Sequence, residues 1–338
     1  MKRRTFMHFG LGAGAALGAW SGAMPSAVAA VAPAAQVPLV WGSRTLNAMG
    51  LTMSLQLGHP DAQTVEHALT AAIAEIRNVE DQMSLFRQDS AVCQLNREGR
   101  LDHAPQDLLT ILKMAQQVSA RSQGSFDVTV QPLWLAFEGA RQQGRLPTPA
   151  EVAAARSKVG WRGVHIHGQQ VQLAQPGMGI TLNGIAQGYA ADKVRKRLRS
   201  LGIQHALVDA GEWAALGQSS HGTDWTLGLA NPRAAHALMA GIAMQGRCVA
   251  TSADDQCHFS DDFVNHHIFD PRTGYSPREL SCVSVMADTA AHADALTKVL
   301  FMAGYQQALP LAKAWGVEAL VVDKQGRWQA TAGLPLRS

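Results

Sequence analysis

Residues 179–192 have the sequence GITLNGIAQGYAAD, which has the pattern of a strand that runs through a glycine-containing turn into a helix. The apolar residues at 180–182 predict a strand, and the pattern over about 185–200 predicts a helix. Gly184 and Gly188 indicate a turn between the strand and the helix. Backbone N–H groups at such a strand-to-helix turn can approach a phosphate at the positive end of the helix. Taken alone, glycines at this position are more often a sign of tight packing, so both interpretations stay open.

Strand and helix patterns alternate on both sides of this stretch. Before it, the patterns predict a strand at 46–57, helices at 61–83 and 107–119, a capping box at 148–151 opening a helix that Gly160 ends, and a hairpin at 164–168 and 171–173. After it, they predict strands at 206–209, 225–229, 248–252, 282–287 and 319–322 and a helix at 290–303. The order predicts an α+β fold of layered, mixed sheets flanked by helices, with two intertwined lobes.

The composition is that of a globular protein with a large core. The chain has 338 residues, of which 47% are hydrophobic and 16% charged. Its formal charge of +3 comes from Lys2, Arg3 and Arg4, because the remaining basic and acidic residues balance. A near-neutral body argues against a general nucleic-acid binder, which needs clustered cations to displace the counterions of phosphates.

The first 35 residues have the pattern of an export signal. Paired arginines at 3 and 4 precede Thr-Phe-Met, an Ala/Gly-rich apolar stretch and a linker rich in Pro and Ala. The pattern predicts a twin-arginine-type signal and a periplasmic location, with residues 36–338 as a single domain. An ordinary secretory signal or an uncleaved anchor is the alternative. The stretch is too mildly hydrophobic for a permanent membrane span.

The four cysteines do not have the spacing of a zinc site. Cys248 and Cys257 could form a disulfide in an oxidising compartment, or some or all of the four could be free buried thiols.

Two further segments concentrate chemically active side chains. Residues 266–274, HHIFDPRTG, place imidazoles, a carboxylate and a guanidinium in one turn, which could also be a turn that satisfies its own backbone. Residues 293–298, ADALTK, place a carboxylate near the start of a helix. That carboxylate could bind a cation or could stabilise the helix dipole.

Together, in this order and spacing, the three segments resemble the signature of the ApbE family of FAD:protein FMN transferases. The resemblance extends from Met49 to Gly304 and includes MSLFRQDS at 83–90 and GSFDVTVQPL at 124–133. The sequence ITLNGIAQGY resembles the NosX branch of the family, which is linked to maturation of the nitrous oxide reduction system.

The resemblance implies a reaction and a set of sites. It implies FAD in an extended groove, Mg²⁺ on its diphosphate, and transfer of FMN to a threonine of an acceptor protein with release of AMP. The acceptor would carry a Ser/Thr flavinylation motif and could be a membrane-bound electron-transfer protein. The residues that match family positions are His267 and Asp270 for catalysis, with His267 as the base, Gly184, Asp294, Thr297 and Lys298 for the metal, and Met49, Phe86, Phe126, Asp127, Thr181, Gln187 and Ile268 for the flavin nucleotide.

Several positions depart from the family pattern: Thr181 replaces a carboxylate, Phe86 a tyrosine and Gln187 a lysine. Lys298 stands where the family has a metal-binding threonine, and Thr297 lies one place earlier. An ammonium beside a divalent cation is unfavourable, so Lys298 either turns away or takes over some of the work of the metal. Two further activities therefore stay open: an FAD pyrophosphatase that uses water as acceptor, and a non-catalytic flavin-binding or assembly protein.

Overall fold

The computed structural model describes residues 38–234 and 237–337. The predicted export signal lies outside the described residues. The helices are α1 (Ala62–Met83), α2 (Ala91–Glu98), α3 (Gln106–Arg121), α4 (Gln131–Arg141), α5 (Pro149–Arg156), α6 (Ala186–Ser200) and α7 (Ala290–Trp315). The strands are β1 (Val40–Ala48), β2 (Leu51–His59), β3 (Arg100–Leu101), β4 (Val164–His167), β5 (Gln170–Leu173), β6 (His205–Asp209), β7 (Trp213–Leu216), β8 (Thr226–Ala230), β9 (Leu238–Ala243), β10 (Cys248–Ala253), β11 (Leu280–Ala287), β12 (Glu318–Asp323), β13 (Trp328–Ala330) and β14 (Leu336–Arg337).

A large sheet forms the middle layer of the molecule. Its order is β1-β2-β6-β7-β10-β11-β12-β13. Alternate residues of its strands point to opposite faces. One face packs against α1, α6 and α7, where Leu55, Val208 and Val285 join the main core, and the other packs against the small sheet β14-β9-β8 through Leu207 and Val249. The α+β layered architecture is confirmed, although every pair of described strands is antiparallel rather than mixed.

The two halves of the chain share this sheet. The chain leaves it after β2, forms α1 to α5 and the small sheet β3-β5-β4, and returns through α6 to pair β6 with β2. A separate cluster of aromatic residues, including Phe137, Phe259 and Phe269, joins α4 and α5 to the loop before β11. This cluster and the helices around it form a second lobe beside the large sheet. Residues from both halves of the sequence build this lobe, which is the intertwining that the sequence predicted.

The predicted strand at 46–57 is in fact two strands joined by a tight hairpin turn. Met49 and Gly50 form the two-residue loop, and both have positive φ, 51° and 77°. This conformation is that of a type I′ turn, which matches the twist of a hairpin but is unusual for methionine. The amide of Met49 donates to Glu80 Oε1 of α1 at 2.6 Å, so the turn is held from outside the hairpin.

The predicted strand at 180–182 is also wrong, because its backbone bonds to other partners. The side chain of Asn96 accepts from the Ile180 amide at 2.7 Å and donates to the Ile180 carbonyl at 2.8 Å. The amide of Thr181 donates to the Val128 carbonyl at 2.7 Å. This bond fixes the direction in which the chain enters the turn at residues 183–185, which contains Gly184 and is called the glycine turn below. Residues 180–182 are therefore not part of a sheet, because the side chain of Asn96 and the loop at Val128 take their backbone hydrogen bonds.

The remaining predicted elements are confirmed with small changes at their ends. Thr148 and Glu151 form the predicted capping box of α5, although that helix ends at Arg156, before Gly160. The predicted helix at 290–303 is the first part of α7, which breaks at Gly304 (φ 73°, ψ 176°) before it continues. The four cysteines all lie in the described part of the chain, and none of them forms a disulfide. No helix in the described part of the chain has the length and hydropathy of a membrane span.

Candidate active site

A cavity of about 1700 Å³ lies where the predicted segments meet. Its wall is formed by the β1–β2 turn, the segment 125–135 before and within α4, the glycine turn before α6, the loop 267–269 and one side chain of α7. Small-molecule pockets commonly occupy about 300–1,000 Å³, so this cavity suits an extended ligand such as a dinucleotide. Three segments that are far apart in the sequence thus share one site.

Ten of the thirteen residues proposed from the sequence line this cavity. They are Met49, Phe86, Phe126, Asp127, Thr181, Gly184, Gln187, His267, Ile268 and Lys298. The other three do not line it. Asp294 and Thr297 are buried behind the wall, and Asp270 pairs with Arg272 inside its own turn, where it also accepts from the Arg272 amide at 2.9 Å. That turn satisfies its own backbone, as the alternative interpretation of residues 266–274 expected.

Apolar side chains supply one part of the wall. Met49, Phe126 and Ile268 are buried around it, whereas Phe86 is 60% exposed. The ring of Phe86 lies against the hairpin turn, because a Cβ added to Gly50 would come within 2.7 Å of it. An exposed aromatic ring beside a cavity can cover a flat ligand without contributing to the core.

Asp127 is held firmly beside the cavity. Its carboxylate accepts from the Thr129 amide at 2.8 Å and from the Trp161 amide at 2.9 Å, and it also accepts from the Thr129 hydroxyl. Burial raises the pKa of this carboxyl, against these hydrogen bonds, which lower it. Asp127 therefore has a local structural role, as cap of a short 3₁₀ turn, in addition to its place on the wall.

The loop that carries His267 is positioned by its neighbour His266. Nε2 of His266 lies 3.2 Å from the Pro277 carbonyl, and the Ile268 amide donates to its Nδ1 at 3.4 Å. Burial lowers the pKa of His266 to about 3, so this ring is neutral and uses one nitrogen as donor and the other as acceptor. This role of His266 was not predicted from the sequence, although the two adjacent histidines are visible there.

His267 itself faces the cavity. Its Nδ1 lies 3.0 Å from the Cys257 carbonyl. A histidine that donates Nδ1–H to a carbonyl carries its lone pair on Nε2, which is the form that a general base requires.

The helices α6 and α7 meet at an unusually close contact. A Cβ added to Gly188 would lie 2.3 Å from the Ala290 carbonyl oxygen. Asp192 of α6 accepts from the amides of Ala290 and Ala291, both at 2.9 Å, and so caps the first turn of α7, whose own Thr289 makes no side-chain cap. This role was not predicted from the sequence, although Asp192 lies within residues 179–192.

The residues that the resemblance assigns to a metal form a pair instead. Lys298 Nζ bonds to Asp294 Oδ1 and lies 3.2 Å from the Asp294 carbonyl oxygen. Asp294 is fully buried, and the Thr297 hydroxyl bonds to Ser252 and to the Asp294 carbonyl, both at 2.7 Å. Within residues 38–234 and 237–337, no three His, Cys, Asp or Glu side chains come together as a metal site. These residues do not fit Mg²⁺, which needs a near-octahedral set of oxygen ligands.

Three acidic residues of the wall were not assigned a role from the sequence, and one of them, Glu138, pairs with Arg141. Asp209 at the end of β6 and Glu212 before β7 both line the cavity. Glu212 is buried and accepts from the Thr251 amide at 2.9 Å. A buried carboxylate between two strands is not visible in a linear pattern, because the strand pairing that surrounds it is a tertiary feature.

The layered α+β fold, the large cavity beside a glycine turn and the histidine on its wall agree with the transferase class to which the similar proteins belong. The chain belongs to the ApbE family, whose sequence profile it matches over residues 49–321.

Several similar proteins match most of the length of this chain. The FAD:protein FMN transferase of Salmonella typhimurium is 28% identical over 257 residues, covering 72% of this chain and 73% of the relative. That of Vibrio cholerae is 29% identical over 290 residues, covering 82% and 85%. Among solved structures, the ApbE protein of Thermotoga maritima has a TM-score of 0.78 at 26% identity, over 87% of this chain and 97% of that one. The Pseudomonas stutzeri flavinyl transferase ApbE has a TM-score of 0.73 at 27% identity, over 87% and 94%.

Proposed function

We propose that this protein is an FAD:protein FMN transferase that moves FMN from FAD onto a hydroxyl side chain, preferably a threonine, of an acceptor protein. The observation that carries the proposal is the meeting of three family segments at one cavity of about 1700 Å³, with His267 on its wall. The names of the relatives support the same activity.

The reaction balances as a phosphoryl-type transfer. The acceptor hydroxyl oxygen forms a bond to the phosphorus of the FMN half, and the bond from that phosphorus to the bridging oxygen breaks. AMP leaves with the bridging oxygen, and the hydroxyl proton passes to Nε2 of His267. Such reactions depend on positioning and on neutralising the charge of the phosphates.

The chain supplies the positioning through separate parts of the wall. Met49, Phe126 and Ile268 would enclose the flavin ring, with Phe86 over its open side. The glycine turn places Gly184 and Gln187 at the start of α6, where backbone N–H groups lack intrahelical acceptors. The resemblance also implies Mg²⁺ on the diphosphate, but Asp294 is already paired, so no step of this proposal goes through the metal.

We also propose the cellular setting of this reaction. Residues 1–35 would direct export by the twin-arginine route, so that residues 36–338 act as one transferase domain in the periplasm. The acceptor would carry a Ser/Thr flavinylation motif and could be a membrane-bound electron-transfer protein. Membership of the NosX-like branch is part of the same proposal and rests on the sequence ITLNGIAQGY.

The test is incubation of the full chain with FAD and an acceptor protein that carries such a motif. Fluorescence of the acceptor in a denaturing gel and release of AMP are measured together. Transfer predicts a fluorescent acceptor and AMP in equal amounts. AMP without a labelled acceptor would instead assign a pyrophosphatase, and bound FAD without either product would assign a flavin-binding protein.

A matched pair of histidine variants tests the base. His267→Asn is expected to keep FAD binding and to slow transfer by about 10²–10⁴-fold, which is the usual contribution of a general base. His165→Asn, at an exposed position of β4, is expected to leave both unchanged. Transfer by His267→Asn at the wild-type rate would remove His267 from the mechanism.

A further inference from the structure

The pair of Asp294 and Lys298 places a fixed cation beside the cavity. The two residues are one turn apart on α7, at positions i and i+4, and so share one face of the helix. The Asp294 side chain is fully buried, and that of Lys298 is 18% exposed. A buried carboxylate is stable only when it is paired and hydrogen-bonded, and here the ammonium and the Gly188 amide, at 3.4 Å, supply its partners.

The ammonium also reaches the ligand space. Lys298 lines the cavity, and its stem runs along the glycine turn, since a Cβ added to Gly184 would meet Lys298 Cε at 3.1 Å. An ammonium has three N–H donors. In the described part of the chain its hydrogen bonds go to two oxygens of Asp294, which leaves a donor for a ligand in the cavity.

Among the described residues of the wall, no second lysine or arginine lies at this turn. The other two on the cavity wall are Arg97 and Arg141, and each pairs with a neighbouring glutamate, Glu98 and Glu138 respectively. Lys298 is therefore the cation that a phosphate at the start of α6 would meet.

We propose that Lys298 replaces the divalent ion in this protein and binds the diphosphate of FAD directly, so that FAD binding does not require Mg²⁺. This inference rests on the proposed function for the identity of the ligand. The pair of Lys298 and Asp294 is neutral, whereas Mg²⁺ with the same carboxylate would carry a net charge of +1. Diphosphate binding by this protein therefore relies more on the backbone N–H groups of the glycine turn.

Titration of flavin fluorescence with the full chain tests the inference, in EDTA and in excess Mg²⁺. Wild-type protein is expected to bind FAD with the same affinity in both. In EDTA, Lys298→Thr should lose about 10–100-fold in FAD affinity, because it lacks the charged hydrogen bond from the ammonium to the diphosphate. The variant should recover affinity in Mg²⁺, because Asp294 and the new hydroxyl then become available to the ion. Riboflavin, which has no phosphate, should bind to both proteins equally.

Two further variants separate this effect from loss of structure. Lys113→Thr removes an exposed lysine of α3 and should change nothing. The double variant Asp294→Asn with Lys298→Thr leaves no buried charge at this pair, so it should fold, bind FAD weakly and show no recovery in Mg²⁺. Riboflavin binding by each variant reports that the cavity is intact.

Either of two results would overturn the inference: a tenfold or larger gain in wild-type FAD affinity on adding Mg²⁺, or wild-type FAD affinity of Lys298→Thr in EDTA. These binding results do not depend on transfer. If the wild-type protein binds FAD by Lys298 but yields neither AMP nor a labelled acceptor, the proposed function fails while the inference about Lys298 stands.

Discussion

The contact between α6 and α7 gives the sharpest prediction, because it depends on the absence of a single methyl group. In Gly188→Ala the new Cβ would lie 2.3 Å from the Ala290 carbonyl oxygen, 2.5 Å from the Ala290 carbonyl carbon and 2.6 Å from the Ala291 nitrogen. All three are backbone atoms, which cannot rotate away. Since non-bonded heavy atoms prefer about 3.5–4.0 Å, the helices must separate by about 1 Å or more.

This separation also weakens the cap of α7. The Asp192 carboxylate now lies 2.9 Å from the amides of Ala290 and Ala291, and a shift of that size takes both beyond a good hydrogen bond. Overpacking costs about 1–3 kcal/mol, and each weakened bond to a charged group costs up to about 1.5–3 kcal/mol. Alanine regains about 1 kcal/mol of helix propensity, so the expected net loss of unfolding free energy is about 2–4 kcal/mol.

Urea denaturation of the full chain, followed by circular dichroism, measures this loss. The matched control is Gly139→Ala in α4, where an added Cβ meets no atom within 4 Å. The same chemical change should there be neutral or stabilise by up to about 1 kcal/mol. Equal shifts in the two variants, or a Gly188→Ala protein as stable as wild type, would refute the argument from close helix contact.

Three other features give predictions of the same kind. The folded-state pKa of His266, about 3, lies below its unfolded value of about 6.5, so the unfolding free energy should fall as the pH drops from about 6.5 towards 3, by up to about 1.4 kcal/mol per pH unit. His266→Asn should lack this component in urea titrations over that range, and an unchanged pH profile would contradict it. Asn96→Ala should lose about 2–3 kcal/mol of unfolding free energy, because the amide and carbonyl of Ile180 lose their partner. Urea titration measures this loss, and a value under about 0.5 kcal/mol would contradict the prediction. Phe86→Ala should lower FAD affinity about two- to tenfold in fluorescence titration with little effect on stability, whereas the control Trp328→Ala should change neither, and equal FAD affinities would remove Phe86 from the site.

Elements with strong local signals could be predicted from the sequence. Asp61 caps α1 by accepting from the amides of Gln63 and Thr64. Thr148 and Glu151 form the capping box of α5 that their spacing predicts. In both cases the residues that decide the structure lie within three positions of each other. The alternation of strands and helices likewise indicated the α+β class, since each element carries its own period.

The wrong predictions fall where distant residues hold the backbone. The turn at Met49 and Gly50 carries no Asn-Gly or Asp-Gly signal, and its amide is bound by Glu80 on another element. The segment at 180–182 has the composition of a strand, but its partner is Asn96, 84 residues earlier in the chain. Neither contact has a local signature, so neither could be inferred from a pattern.

The sequence predicted which segments form the candidate site better than it predicted how their side chains are arranged. The motifs identify which stretches meet, and most of their named residues line the cavity. They do not tell that Asp270 pairs within its own turn, that His266 positions the loop, or that Lys298 bonds to Asp294. The two ion pairs are local, but a linear pattern leaves open whether each carboxylate bonds to its neighbour or to a ligand, and the position of His266 depends on the carbonyl of Pro277.

The two interpretations of the glycine motif turn out to describe different glycines. Gly188 is a packing residue, because it allows α7 to approach α6 closely enough for Asp192 to cap it. That approach brings the first turns of α7, and with them Lys298, up to the glycine turn, where Gly184 leaves room for the lysine stem. Packing at one glycine thus sets the position of the cation at the other. A lysine can substitute for a bound ion only if its helix is held at a fixed distance, so we expect any change that separates α6 from α7 to weaken FAD binding before it disturbs the apolar part of the cavity.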